Sequence, residues 1–340
     1  VSYINEACSS ISDLFTKLGT FLVSTPGWTI PTPAANSFAA RKNAAGYDIC
    51  FAAHWDGATP SNVGLYQWFG AAYNNAVHAS AQTADSGNGI NTSTNATLAT
   101  GRHVPITNTP TQYWCFEDDQ YFHVVVQVDS DDYVHFGAGQ LDKFHDWSGG
   151  EYVYGFRQSA VNANTMVYND CTKLLDGILA TSGSTTLSNA QLYAATVHAA
   201  SLPGQGGSEI WLVSMGDQAS GSLGTDRAGN ARGHWMGGYR GGPFAKAFGM
   251  FRGSNARGLC PMSPIVSYYW RRSPDQIYGP MGQMKDVRMV NIRDFAAAEE
   301  ITVGSDVWVM FPSARKALVD GNSPVGYSGY QGIAYKKVTT

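Results

Sequence analysis

Charge is what this chain has least of. Only 14% of its 340 residues are Asp, Glu, Lys or Arg, against a usual quarter or so. The surface must therefore lean on Ser, Thr, Asn, Gln and Gly for its contact with water. Such a surface suits large protein interfaces, where buried charge costs desolvation. It also suits secreted binding proteins. No run of Lys or Arg exceeds a pair such as Arg271-Arg272 or Lys336-Lys337, and the formal net charge is −4. That balance disfavours a direct nucleic-acid partner.

Long apolar runs are missing as well. Nothing approaches the ~20 residues that cross a bilayer as a helix, so membrane insertion is not expected. The amino terminus lacks the ordered charged, apolar and cleavage regions of a signal peptide. Val1 fits removal of an initiator Met, and a longer precursor stays open. Cysteine is sparse, with Cys8, Cys50, Cys115, Cys171 and Cys260 far apart, odd in number and without CxxC pairing. A disulfide framework or a zinc cluster needs closer or paired spacings. The thiols are expected to be reduced and buried, with synthesis in the cytoplasm.

Reaction motifs are absent too. GxSxG, HExxH and the phosphate-cradling Gly-Lys-Ser/Thr loop do not occur. His54-Trp55-Asp56, His145-Asp146-Trp147 and His234-Trp235 offer acid/base residue types, but general acid/base work needs groups that converge on a pocket. Glu117-Asp118-Asp119 and Glu299-Glu300 could supply a glycosidase carboxylate pair; acidic turns are the commoner use of such runs. No catalytic residue, cofactor or metal is assigned from the sequence.

What is present is mostly strand grammar. In the first segment Ile4, Cys8, Ile11, Phe15, Leu18 and Leu22 recur at helical steps, predicting one apolar stripe that Ser2 could cap and Pro26-Gly27 ends. That stripe packs on its own domain or docks on a neighbouring subunit. GYDICFAAHW and GLYQWFGAAY read as strands. Residues 80–112 are polar and rich in Gly, Asn and Thr, and are expected to form an exposed excursion. LSNAQLYAATVHAASL fits either a helix or a strand with its turn, and SEIWLVSMGD is a strand candidate. VRMVNIRDF, SDVWVMFPSARK and GYQGIAYKKV read as closing strands. The fold class expected is mainly β, with β-sandwich or barrel-like domains, an N-terminal helix and long Gly/polar loops. The division expected is 1–30 as a helical segment, 31–160 as a β domain and 161–340 as a second β-rich domain.

The stretch QYFHVVVQVDSDDYVHFGAG carries the clearest local signal. Phe122, Val124, Val126 and Val128 share one face of a strand, and Tyr121, His123, Val125 and Gln127 the other. Asp129-Ser130-Asp131-Asp132 supplies turn chemistry, so a β-hairpin is predicted. A calcium loop counted from Asp129 would need Gly at the sixth position and Glu at the twelfth; Val134 and Gln140 stand there. A turn centred on 130/131 would set His123 opposite Ala138 and His135 opposite Val126, which separates the imidazoles. Both read as polar or partly buried sheet histidines.

Three quoted runs carry a family resemblance. They are the early segment ending in STPGW, then YWCFEDDQYFHVVVQVDSDDYVHFGAGQLDKFHDWSGGEYVYG, and the closing EEITVGSDVWVMFPSARKALVDGNSPVGYSGYQGIAYKKV. Together they resemble tail and baseplate-type structural proteins of double-stranded-DNA bacteriophages, which share an aromatic strand, a polar turn and an HFGxGxLxKxxxWxGGxY pattern. The match covers less than half of the chain, and residues 80–112 and 220–260 have no counterpart. The resemblance implies a non-enzymatic virion subunit of the tail, at the baseplate or tip, made in the bacterial host cytoplasm. Its implied partners are copies of itself and other tail proteins. A head, neck or capsid position is the nearest rival. A glycan- or receptor-binding module, with host-surface glycan as partner, and a polysaccharide-cleaving enzyme are the readings from other classes. Candidate interface residues are Trp147, Gly149 and Gly150 in the WSGG turn, and Trp270, Arg271 and Arg272.

Overall fold

Two serines and an aspartate decide where the only helix begins among the described residues. The structure is a computed structural model. It describes residues 2–24, 28–30, 37–44, 47–56, 64–70, 89–91, 102–103, 106, 109–144, 151–154, 157–158, 232–235, 262–270, 278–292, 294–312 and 331–337. Strand β1 runs over Ser2–Ala7 and helix α1 over Ile11–Ser24. The Asp13 amide donates to Ser10 Oγ at 3.1 Å, and Asp13 Oδ2 accepts the Ser9 amide at 3.0 Å. Ser10 therefore caps the helix, and the side chain at its third position reaches back to close the turn. The Ser9 amide and then Lys17, at 3.1 Å, hold the Asp13 carboxyl below its ordinary pKa.

The expected single helical stripe from Ile4 is thus corrected. Ile11, Leu14, Phe15, Leu18 and Leu22 are buried on α1, but Ile4 belongs to a strand and Ser2 caps nothing. The periodicity over Ile4 and Cys8 is satisfied equally by a strand once a partner edge is available. That partner lies more than a hundred residues away.

The chain continues through β2 (Trp28–Thr29), β3 (Ser37–Ala44), β4 (Tyr47–Asp56), β5 (Gly64–Gly70), β6 (Gly89–Asn91) and β7 (Arg102–His103). Next come β8 (Gln112–Asp118), β9 (Tyr121–Gln127), β10 (Tyr133–Gln140), β11 (Asp142–Lys143), β12 (Glu151–Tyr154) and β13 (Arg157–Gln158). The last are β14 (Arg232–Trp235), β15 (Met262–Trp270), β16 (Tyr278–Asn291), β17 (Glu299–Val303), β18 (Asp306–Pro312) and β19 (Gln331–Lys337). The protein is mainly β with one N-terminal helix, and no sheet closes into a barrel among the described residues. LSNAQLYAATVHAASL and SEIWLVSMGD lie outside those residues.

The chain forms two compact units. The first comprises Val1–Gln140, Glu151–Val167 and Lys337–Thr340; the second comprises Leu141–Gly150 and Tyr168–Lys336.

In the first unit one sheet has the order β1-β8-β9-β10-β12 and another β2-β3-β4-β5-β6. They meet through aromatic side chains, which gives a sandwich-like pair. Phe122 on β9 stands edge-on to Phe51 at 5.1 Å, Trp28 at 5.4 Å and Phe38 at 6.4 Å. Phe15 of α1 stacks on Phe38 at 5.8 Å, which ties the helix to the same core. Such pairs add about 0.5–1.5 kcal/mol each beyond burial.

The predicted hairpin is β9 and β10, but its register is shifted by one residue. Val128 donates to the Asp132 carbonyl at 2.9 Å, and Asp129 Oδ1 accepts the Ser130 amide at 2.7 Å. Asp129, Ser130 and Asp131 therefore form a three-residue loop. His123 consequently faces Gly137, and His135 faces Val125. The shift puts both imidazoles on one face of the sheet rather than on opposite faces. Both are also fully buried rather than partly so, at 0% and 2% exposure.

Two further expectations change. Within the 80–112 excursion, β6 extends the second sheet, and Ile106 is buried with its carbonyl accepting the Trp55 indole N–H at 3.0 Å. The acidic run 117–119 is not a turn throughout, because Glu117 and Asp118 are buried strand residues.

The second unit holds the sheet β14-β15-β16-β19-β18-β17, with β11 paired to β16. Strand β16 is interrupted where Asp286 turns left-handed, with φ of 57°. Before the break β16 pairs with β11, and after it with β19. Val290, Ile292, Trp308, Met310 and Ala334 form a core beneath Met262, Phe295 and Ile301. Gly332 is required by close approach: a Cβ there would strike the Ile292 side chain and stand 2.6 Å from the Phe311 carbonyl oxygen. Gly332→Ala should lower unfolding free energy by about 1–3 kcal/mol, read by urea denaturation. A loss under about 0.5 kcal/mol would contradict this packing.

Candidate functional site

Among the described residues, an edge strand and a buried charge pair depart from an ordinary closed core. The edge strand is β17, at one end of the second unit's sheet among the described residues. Its hairpin with β18 turns through Gly304, whose φ of 64° needs glycine, and Val303 faces Asp306 across the two-residue loop. Glycine at the first position of such a loop matches the twist of the flanking strands. Ala298, also left-handed at φ of 61°, starts the strand with its amide on the Met310 carbonyl at 2.7 Å.

Along β17 only Ile301 is even partly buried, and it packs on the core under Trp308. Glu299, Glu300, Thr302 and Val303 are exposed, Val303 at 51%. Glu299 Oε2 accepts the Ala296 amide at 2.6 Å and so closes its own turn. Behind the hairpin, Lys336 reaches Asp306 at 3.0 Å and Asp286 at 3.9 Å. Arg288 lies over the Trp308 ring at 5.2 Å, and burial pulls its pKa below the ordinary value. These contacts anchor β18, the sheet neighbour of the exposed β17.

The buried pair lies in the first unit. Lys42 on β3 and Glu117 on β8 meet at 3.1 Å, with side chains 5% and 1% exposed. Trp28 Nε1–H donates to the same Glu117 Oε1 at 2.8 Å, and the Lys42 ammonium stands 5.3 Å from the Trp28 ring. Lys42 also approaches the Asp118 carbonyl at 3.4 Å and Asp119 Oδ1 at 3.5 Å. Among the described residues Glu117 Oε2 has no hydrogen-bond partner. The ammonium is thus spent on protein acceptors, and the arrangement ties two sheets rather than presenting a proton to a substrate.

Sequence reasoning missed this pair, although alternation contains it. Phe38, Ala40 and Lys42 share one face of β3, and Tyr113, Cys115 and Glu117 share one face of β8. A charge on each apolar face was the available signal.

The predicted interface residues fare differently. Trp147, Gly149, Gly150, Arg271 and Arg272 lie outside the described residues. Trp270 ends β15, in register with Arg232 of β14 and Tyr278 of β16. Among the described residues no group of three or more His, Cys, Asp or Glu is placed to hold a metal. Asp129 and Asp131 are exposed in the hairpin loop, whereas Asp132 is buried. His123 stacks on Tyr121 with centroids 4.4 Å apart. No described helix is long and apolar enough to cross a membrane.

No protein-family model matches the chain, and no curated protein is significantly similar to it.

Breaking the buried pair from one side should be costly. Glu117→Gln should lose about 3–5 kcal/mol of stability, because it strands the Lys42 ammonium. Lys42→Met with Glu117→Leu should lose markedly less. Equal losses in urea titrations of the single and double variants would contradict the pairing.

Cys8 and Cys115 are buried and unpaired. Burial, with Asp13 adding to it, pushes the Cys8 thiol up to about 11, and burial raises Cys115 well above its ordinary value. Both are therefore protonated at pH 8, and a thiol is a poor nucleophile beside its thiolate. Iodoacetamide followed by peptide mass spectrometry should leave both unmodified in the folded protein and label both in urea. Rapid labelling of either in the folded protein would contradict their placement.

Proposed function

We propose that the chain is a non-enzymatic structural subunit of a bacteriophage virion, placed in the tail at the baseplate or tip. The observation that carries this reading is β17, an edge strand whose Thr302 and Val303 are exposed in a chain with few charges. An edge of this kind invites pairing with another chain, and monomeric proteins commonly blunt it with Lys, Pro or a cover. A subunit destined for assembly has that edge completed by a neighbour. The resemblance of the HFGAGQLDKFHDWSGGEYVYG run to tail and baseplate-type proteins supports the same reading.

The partners on this reading are copies of the chain and other tail proteins. Repetition by symmetry multiplies one modest contact into a large total interface.

Quantitative mass spectrometry of gradient-purified particles from the encoding phage tests the proposal. Peptides of this chain should be present at several copies per particle and missing from tail-less particles. Particles lacking the chain would overturn the virion role, and equal amounts in tail-less particles would overturn the tail position.

A further inference from the structure

We propose that Lys42 and Asp119 condense to an amide inside the folded chain, with Glu117 moving the protons. The link joins β3 to the turn between β8 and β9, and so ties the two sheets of the first unit covalently. It needs no other chain and is independent of the assembly reading above.

Three side chains meet at one amine. Lys42 Nζ lies 3.1 Å from Glu117 Oε1 and 3.5 Å from Asp119 Oδ1. The lysine and the glutamate are buried, whereas the Asp119 side chain is 87% exposed. Its backbone is nevertheless fixed. Asp119 and Gln120 form the two-residue turn closed by the Asp118–Tyr121 pair, and the Gln120 carbonyl accepts the Gln140 amide at 2.8 Å. The Trp28 ring, 5.3 Å from Nζ and itself packed on Phe122, helps to exclude water from the amine. Glu117 Oε1 accepts both the ammonium and the Trp28 indole N–H. Its Oε2 is buried and has no hydrogen-bond partner among the described residues. In a purely structural ion pair such an oxygen only costs stability. A proton carrier requires one.

Burial penalises both charged forms of the pair. A proton therefore passes from the ammonium to Glu117 along the 3.1 Å contact and leaves a neutral amine. Glu117 hands that proton to the Asp119 carboxylate, which becomes a carboxylic acid. The amine lone pair then attacks Asp119 Cγ, the role of an activated lysine in covalent chemistry. A second proton leaves the nitrogen by the same carrier and joins the departing hydroxyl. One N–C bond forms, one C–O bond breaks and one water leaves; nothing is oxidised or reduced. The exposed side of Asp119 gives that water its exit. Free amines and carboxylates do not condense in dilute solution, but groups held in place react at effective concentrations of about 10⁵–10⁸ M. Only the folded chain holds them so, and the ion pair is the precursor of the link.

Intact-mass and peptide mass spectrometry of the purified full chain test this. The wild type should be lighter than its sequence by the mass of one water. After unfolding, trypsin should cut after Arg41 but not after Lys42, and release one branched peptide that joins the Lys42 and Asp119 segments. Asp119→Ala, at an exposed turn position, and Lys42→Arg should each return the chain to its full sequence mass. Folded Glu117→Gln should form the branch about a hundredfold more slowly, followed by mass over the days after purification.

A wild type of full sequence mass that is cut after Lys42 would overturn the proposal. So would a water deficit that persists in folded Asp119→Ala or Lys42→Arg, because it would mark an aspartate cyclised on its own backbone. Linking at the wild-type rate by folded Glu117→Gln would overturn it as well.

Discussion

A lysine held between two sheets has to be answered by a carboxylate, and the first unit is organised around that requirement. Moving an ammonium out of water costs several kcal/mol even after relaxation, and only a close, hydrogen-bonded counter-charge offsets it. Lys42 finds Glu117 at 3.1 Å, and Trp28 fixes the same carboxylate oxygen from the second sheet. The pair therefore has one register in which it works. Sliding β3 against β8 by a residue would leave both charges buried and apart, so the penalty selects the observed sandwich over its slipped alternatives. The Phe122 cluster supplies the cohesive energy, but apolar contacts tolerate shifts that the charges do not.

The second unit solves a different problem. Its sheet has a core under β16, β18 and β19, yet the hairpin ends in a strand with little beneath it. Lys336 between Asp286 and Asp306, and Arg288 over Trp308, keep β18 in place. The outer strand is thus presented on a firm support without being covered itself. A chain with few charges has limited means of keeping such an edge apart from other strands, and on the proposed reading assembly turns that deficit into use.

How much of this was legible follows from how far apart the cooperating residues lie. The strands over 112–140, the hairpin turn and the closing strands are local patterns, and alternation with turn residues marks them. The helix could be found from Ile11 onward, because its stripe and its Ser10 cap sit within one turn of each other. Its start could not, because Ile4 fits a helical and an extended period alike and its strand partner Cys115 is remote. The one-residue shift at Asp129–Asp131 turns on whether the loop holds two or three residues, which three neighbouring aspartates do not decide. The Lys42–Glu117 pair is non-local by nature: each strand shows a charge among apolar neighbours, and only the fold says that the two meet. Of the predicted interface residues, Trp147 lies in a run that carries the resemblance and Arg271 lies outside all of them, and the edge strand β17 was read only as a closing segment.

Immunogold electron microscopy of intact and disrupted particles tests the central claim most directly, using antibodies raised against this chain and proven on the purified protein. The account predicts label at the distal end of the tail, strongest where disruption exposes subunit faces. Label confined to the head or neck would contradict the tail position. Absence of label from both preparations would contradict the virion role itself.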